Sequence, residues 1–169
     1  MTTARSTSHE VAVPDREVHI VRTIHAPRDK VFAAWITREA LQRWYAPHGC
    51  TIQFREYSPS PGGEFITCIN SPEGHACWCR GSYGVFSPPE QLVMTMSICD
   101  GEGNLITPVA AGMDPDWPAT TRVTVTFEDL GDSTRITLHQ TVAESIAKRT
   151  GAHPSWLQMF DRLAELIAA

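Results

Sequence analysis

Residues 154–167 read PSWLQMFDRLAELI, and the spacing of their apolar members decides the fold. Trp156, Leu157, Phe160, Leu163, Ala164 and Ile167 fall at i, i+1, i+4, i+7, i+8 and i+11, a broad apolar stripe along one side of a helix. Pro154 suits the opening turn of that helix. Gly151 separates it from a shorter helical piece over residues 143–149. A helix with one apolar face needs a second layer to cover it, and the preceding chain supplies that layer.

Reading outward, residues 122–128 and 134–141 form a hairpin around Leu130-Gly131-Asp132-Ser133. Val123, Val125 and Phe127 share one face of its first strand; Ile136 and Leu138 share one face of the second, with Arg135, Thr137 and His139 opposite. Residues 75–86 and 91–99 pair around Ser87-Pro88-Pro89-Glu90. Residues 51–57 and 64–70 are joined through Ser58-Pro59-Ser60-Pro61-Gly62-Gly63. Residues 100–118 carry Gly, Pro and Asp and read as a long loop. The first strand is Val18–Ile24, rich in β-branched residues. Between it and residue 51 lie two short helices: Arg28–Ile36, and one that Thr37 can cap through its hydroxyl, with Leu41, Trp44 and Tyr45 as its inner stripe. Clean alternation leaves each strand one wet and one dry face. The expected fold is α+β: a curved antiparallel sheet of about six or seven strands wrapped around the C-terminal helix in a helix-grip arrangement, with two short helices after the first strand. Residues 17–169 make a single domain, and residues 1–16 a disordered tail.

The chain has 169 residues, 42% of them apolar and 20% charged, with a net charge of −5. That size buries an adequate core without staples. Dispersed cations on an acidic chain offer no basic face to nucleic acid or an anionic membrane. The five cysteines are an odd number, residues 1–17 hold no apolar signal segment, and no apolar run approaches the ~20 residues of a membrane span. The expectation is a cytoplasmic protein with reduced thiols and no membrane insertion.

The segment IVRTIHAPRDKVFAAWITREALQRWYAPHG, residues 20–49, resembles the opening of the family named after the ATPase activator of the ninety-kilodalton heat-shock chaperone. The resemblance rests on Arg-x-Ile-x-Ala-Pro at the strand end, Val-Phe-x-Ala-Trp on the first helix and Trp-aromatic-x-Pro after the second. Pro61-Gly62-Gly63-Glu64-Phe65 is similar to the family's glycine-pair turn, residues 81–93 to its central hairpin, and Trp156-x6-Leu163 to its last helix. The likeness covers residues 17–169. The family belongs to the START and Bet v allergen-like superfamily, whose members are carriers or sensors of hydrophobic ligands, polyketide cyclases or co-chaperone modules. The resemblance therefore implies a pocket without choosing its use. Two departures stand out. Trp44-Tyr45 stands where the family often has two tryptophans, and the 100–118 loop is long and carries Trp117.

Candidate ligand-binding residues are Trp44, Phe65, Tyr83, Met94, Met96, Trp117, Val125, Trp156 and Phe160, with Trp35 and Phe160 weighed also as plain core filling. Met94 and Met96 share one strand face, and flexible thioethers suit a wall that adapts to a ligand. Cys77 and Cys79 share a face with His75, and Cys68 lies on the preceding strand. Their role is left open, because Cys-x-Cys on a strand is not zinc-knuckle spacing and no metal is expected. His48 and His153 sit in turns where an entrance would be, while His139 lies on a wet face. Glu56 and Glu64 are weighed as buried bases but are expected to face water. No nucleophile elbow, phosphate loop, dinucleotide fingerprint or His-Glu-x-x-His occurs, so no cofactor and no catalytic residue is assigned. The leading expectation is binding of a small hydrophobic molecule between sheet and terminal helix. The alternatives are an enzyme of cyclase, dehydratase or hydrolase type in the same cavity, and a co-chaperone-like interaction module. A homodimer is compatible with any of these.

Overall fold

The computed structural model of the chain describes residues 15–169. Strand β1 (Glu17–Ile24) ends at Ala26-Pro27, and Pro27 opens α1 (Arg28–Ile36) as expected of its fixed φ. Thr37 then divides α1 from α2 (Arg38–Trp44), but its hydroxyl does not cap α2. It turns back and donates to the Ala33 carbonyl at 2.6 Å, closing α1 instead. Strands β2 (Thr51–Tyr57), β3 (Glu64–Asn70), β4 (Ala76–Ser87), β5 (Gln91–Ile98), β6 (Thr120–Asp129) and β7 (Thr134–Ala143) follow, then α3 (Glu144–Thr150) and α4 (Ala152–Ala168).

The seven strands form one antiparallel sheet in the order β1-β7-β6-β5-β4-β3-β2. The chain meanders from β2 to β7, and β1 then pairs beyond β7, so the two short helices bridge the sheet's outer strands. The sheet curves around α4, the helix-grip arrangement. Extra residues in β2, between Phe54 and Glu56, and in β4, between Tyr83 and Val85, are bulges that bend and twist the strands holding them.

Gly151 lies between α3 and α4 at φ 86°, a left-handed conformation that a side chain would resist. It sends α4 back across the sheet. Helix α4 begins at Ala152, two residues before Pro154, which sits in its first turn. Trp156, Met159, Phe160, Leu163 and Ile167 are its buried residues, whereas Leu157 is 41% exposed. The stripe is thus rotated toward Met159, which the periodicity did not single out. Arg162 fastens the helix to α2 by donating to the carbonyls of Ala46 (2.5 Å) and Arg43 (2.8 Å).

Of the tail expected over residues 1–16, residues 1–14 lie outside the described residues. Asp15 and Arg16 are held against α3. The Glu144 amide donates to the Arg16 carbonyl at 2.8 Å, and the Arg16 guanidinium and Lys148 ammonium both pair with the Glu144 carboxylate.

Candidate functional site: a cavity under the first half of the terminal helix

Between the inner face of the sheet and the N-terminal half of α4 lies a cavity of about 620 Å³, within the range of small-molecule sites. Cross-strand register tiles its wall. Thr121, Met96, Gly81, Phe65 and Tyr57 are successive partners across five strands, from β6 to β2. Ile98, Cys79, Thr67 and Phe54 form the next row, with Met94 and Tyr83 on the other side. Helix α4 contributes Ala152, Ser155, Trp156 and Met159. Residues 112–118 of the long loop complete the wall through Met113, Asp114 and Trp117. All three tyrosines of the chain and all four methionines after Met1 border this one space.

Gly81 is what lets the row lie flat. A Cβ there would sit 2.4 Å from the Phe65 ring and 2.3 Å from the Thr95 carbonyl oxygen, far inside contact distance. The Phe65 ring therefore crosses β4 through the space a side chain would fill.

The bulge in β2 decides which chemistry reaches the cavity. Ile52 and Phe54 face inward, so strict alternation would send Glu56 in and Tyr57 out. The extra residue, Arg55, reverses the parity. Glu56 is exposed and Tyr57 lines the cavity. The Tyr57 hydroxyl donates to the Ile36 carbonyl, and the Tyr83 hydroxyl donates to Tyr57 at 3.4 Å. Tyr45 is wedged edge-on against Trp35, Trp44 and Trp156, with ring centroids 6.2, 5.2 and 5.8 Å away. Its hydroxyl makes no hydrogen bond to a described residue. Burial pushes the pKa of all three phenols up, with the Cys79 thiol and Tyr83 adding to it at Tyr45, so each stays a neutral hydroxyl.

A second polar point lies on the β6–β7 side. The Trp156 indole donates to Gln140 Oε1 at 2.9 Å, which fixes the amide orientation, and Gln140 Nε2 donates to Thr121 Oγ1 at 3.2 Å. Trp35 is 2% exposed and its indole N–H has no acceptor among the described residues. The one charged wall residue among those described is Asp114, and Arg149 holds it through two contacts of 3.2 Å while reaching Asp116 at 3.0 Å. Hydrogen bonds and that guanidinium keep the Asp114 carboxyl below its usual range.

Cys77 and Cys79 line the cavity. Burial pushes the Cys79 thiol up to about 12 and raises Cys77 as well, so both are protonated and poor nucleophiles. Cys68 points to the other face of the sheet, His75 is exposed, and no three potential ligands converge on a metal position among the described residues. Among the described residues, no histidine and no glutamate lines the cavity; Glu64 is exposed like Glu56.

Of the sequence-derived candidates, Phe65, Tyr83, Met94, Met96, Trp117 and Trp156 border the cavity. Trp44, Val125 and Phe160 do not. Each is 0% exposed, enclosed on all sides by other side chains. Trp44 donates its indole N–H to the Ala34 carbonyl at 2.9 Å, and Phe160 packs beyond Trp156, where α4 has left the cavity and entered solid core. Trp35, weighed as core, touches both. Tyr45, Tyr57, Met113 and Met159 were missed. For Tyr45 the signal was its place beside Trp44 on the second helix; for Tyr57 no alternation rule gives it, because it follows a bulge.

The family described as Activator of Hsp90 ATPase homolog 1-like protein matches residues 25–168 of this chain. Among solved structures, a Chromobacterium violaceum protein superposes with a TM-score of 0.72 at 20% identity, covering 89% of this chain and 96% of its own. An Arthrobacter aurescens protein gives 0.75 at 19%, covering 89% and 84%. A Silicibacter pomeroyi protein bearing the same family name gives 0.70 at 17%, covering 90% and 98%. At these identities the likeness establishes the fold. A search among curated proteins finds no match.

Proposed function

Because the chain belongs to the Activator of Hsp90 ATPase homolog 1-like family, whose fold leaves room between sheet and terminal helix, we propose that it binds a small hydrophobic molecule in that space. One observation carries the reading: about 620 Å³ bordered by every tyrosine and every methionine after Met1. An apolar guest gains by moving its surface out of water and against this wall. Methionines and aromatic rings let such a wall close on a guest of variable shape. The wall's lack of histidine and glutamate, and its protonated thiols, argue for carriage or sensing over acid–base or thiolate chemistry.

The interaction-module reading finds less support. Among the described residues, the exposed large apolar side chains, Val21, Val85, Leu105, Val109, Leu130 and Leu157, are distributed over five separate elements and loops. No helix among the described residues is long and apolar enough to cross a membrane.

Titration with N-phenylnaphthylamine tests the proposal, since its fluorescence rises on entering an apolar site. Binding is expected in the wild type and lost in Thr67→Trp, whose indole would occupy the middle of the cavity, with the fold retained by circular dichroism. Equal binding by both proteins would place the probe elsewhere and end the proposal.

A further inference from the structure

Donors on the cavity wall are not all matched by acceptors. The strong acceptor-only groups are already engaged: Gln140 Oε1 by the Trp156 indole, and the Asp114 carboxylate by Arg149. Tyr57 spends its proton on the Ile36 carbonyl and Tyr83 spends its proton on Tyr57. Two donors among the described residues stay unmatched and lie side by side. Half-buried Tyr45 borders the cavity with its hydroxyl unbonded to any described residue, and the buried Trp35 indole N–H beside it has no acceptor among the described residues. The two rings are neighbours, 6.2 Å between centroids. A guest that offers an acceptor oxygen to the Tyr45 hydroxyl gains a hydrogen bond that the wall itself does not supply.

Charge narrows the guest further. Among the described residues, no lysine, arginine or histidine borders the cavity. Arg38 lies 5.9 and 5.8 Å from the Phe54 and Tyr57 ring centroids, but it is exposed to solvent and lies outside the wall. An ionised carboxylate inside would lose its hydration with no cation to replace it.

We infer that the cavity selects neutral, largely apolar molecules carrying a carbonyl or comparable acceptor oxygen, and that the Tyr45 hydroxyl is the group that receives it. This rests on the proposed function and names the class of ligand. Free fatty acids and other anionic amphiphiles are excluded by it; ketones, esters and quinone-like molecules fit.

Three probes of one size separate the possibilities: prodan, which is a neutral naphthyl ketone; its naphthoate carboxylate analogue; and N-phenylnaphthylamine, which offers no carbonyl. Prodan is expected to bind at least about tenfold more tightly than the carboxylate. Tyr45→Phe keeps the ring that packs on the three tryptophans. It is expected to weaken prodan about 3–10-fold, the worth of one neutral hydrogen bond, and to shift bound prodan's emission to the blue. N-phenylnaphthylamine should bind both proteins alike. A carboxylate that binds as well as the ketone, or a Tyr45→Phe variant with unchanged affinity and emission for prodan, overturns the inference. If N-phenylnaphthylamine binds under either of those results, the cavity-binding reading survives without it; if no probe binds the wild type, both fail. Should Tyr45→Phe not fold, the wild-type comparison of ketone with carboxylate decides alone.

Discussion

A methyl group at Gly81 has nowhere to go. The Phe65 ring, 2.4 Å from an added Cβ, is able to swing, but the Thr95 carbonyl oxygen at 2.3 Å belongs to the neighbouring strand's backbone. Gly81→Ala is therefore expected to destabilise the fold by about 1–3 kcal/mol, the usual range for overpacking, read as a lower urea midpoint. The same change turns Phe65 into the cavity, so N-phenylnaphthylamine binding should weaken with it; an unchanged midpoint would mean that β4 and β5 separate freely at this point. At this scale the sequence was half legible. Alternation and helical spacing tell which side chains face inward, and Phe65, Met94, Met96 and Trp156 follow from that alone. Whether an inward residue meets a void or another residue depends on what lies opposite. Phe160 is one turn from Trp156 on the same stripe, yet it is enclosed in the core while Trp156 borders open space. Nothing in the spacing distinguishes them.

Elements were more legible than their irregularities. Strand and helix boundaries follow the hydrophobic period and the Pro and Gly punctuation closely, because those signals act locally. The bulge at Arg55 has no such signature, and it alone exchanges Glu56 for Tyr57 on the cavity wall. The junction of β1 with α3 was equally hidden, since Arg16 and Glu144 are far apart in sequence. There the Glu144 carboxylate, hydrogen-bonded to Arg16 and Lys148, is held down from 4.5 to about 2. A depressed folded pKa means stabilisation that is complete above the unfolded value and fades as pH falls through the folded one. The wild type should therefore exceed Glu144→Gln in urea midpoint at pH 6, with the gap closing between about pH 4.5 and 2. Asp100 and Asp114 are also lowered, so the variant keeps some acid sensitivity of its own. A gap independent of pH would mean that the ion cluster contributes nothing to the docking of β1 on α3. Arg149, half exposed, makes a different kind of link, tying the loop at Asp114 and Asp116 to α3. Arg149→Met should change global stability by less than ~1 kcal/mol, as exposed pairs do. Amide exchange over residues 112–117 should nevertheless rise, because that guanidinium is what holds this part of the cavity wall.

For the whole molecule the consequence of the cavity is thermodynamic linkage. Helix α4 divides its work: its second half, fastened by Arg162 and packed through Phe160, Leu163 and Ile167, holds the domain together, while its first half lines the cavity. On the reading proposed above, a guest adds to the stability that the second half of α4 supplies. A ligand that binds only the folded chain stabilises it by RT ln(1 + [L]/Kd), about 2.7 kcal/mol at a hundredfold excess over Kd. For a chain of this size each kcal/mol moves the midpoint of thermal unfolding by roughly 2–4 °C. Prodan at a hundred times its own Kd should therefore raise Tm by roughly 5–11 °C. Thr67→Trp, with the cavity occupied by its own indole, should show almost none of that rise at the same concentration. The size of the shift is the sensitive part. A probe bound to scattered surface sites or to the unfolded chain gives fluorescence without the corresponding gain in Tm. Fluorescence saturation with an unmoved transition would therefore locate binding outside the cavity, however tight it measured.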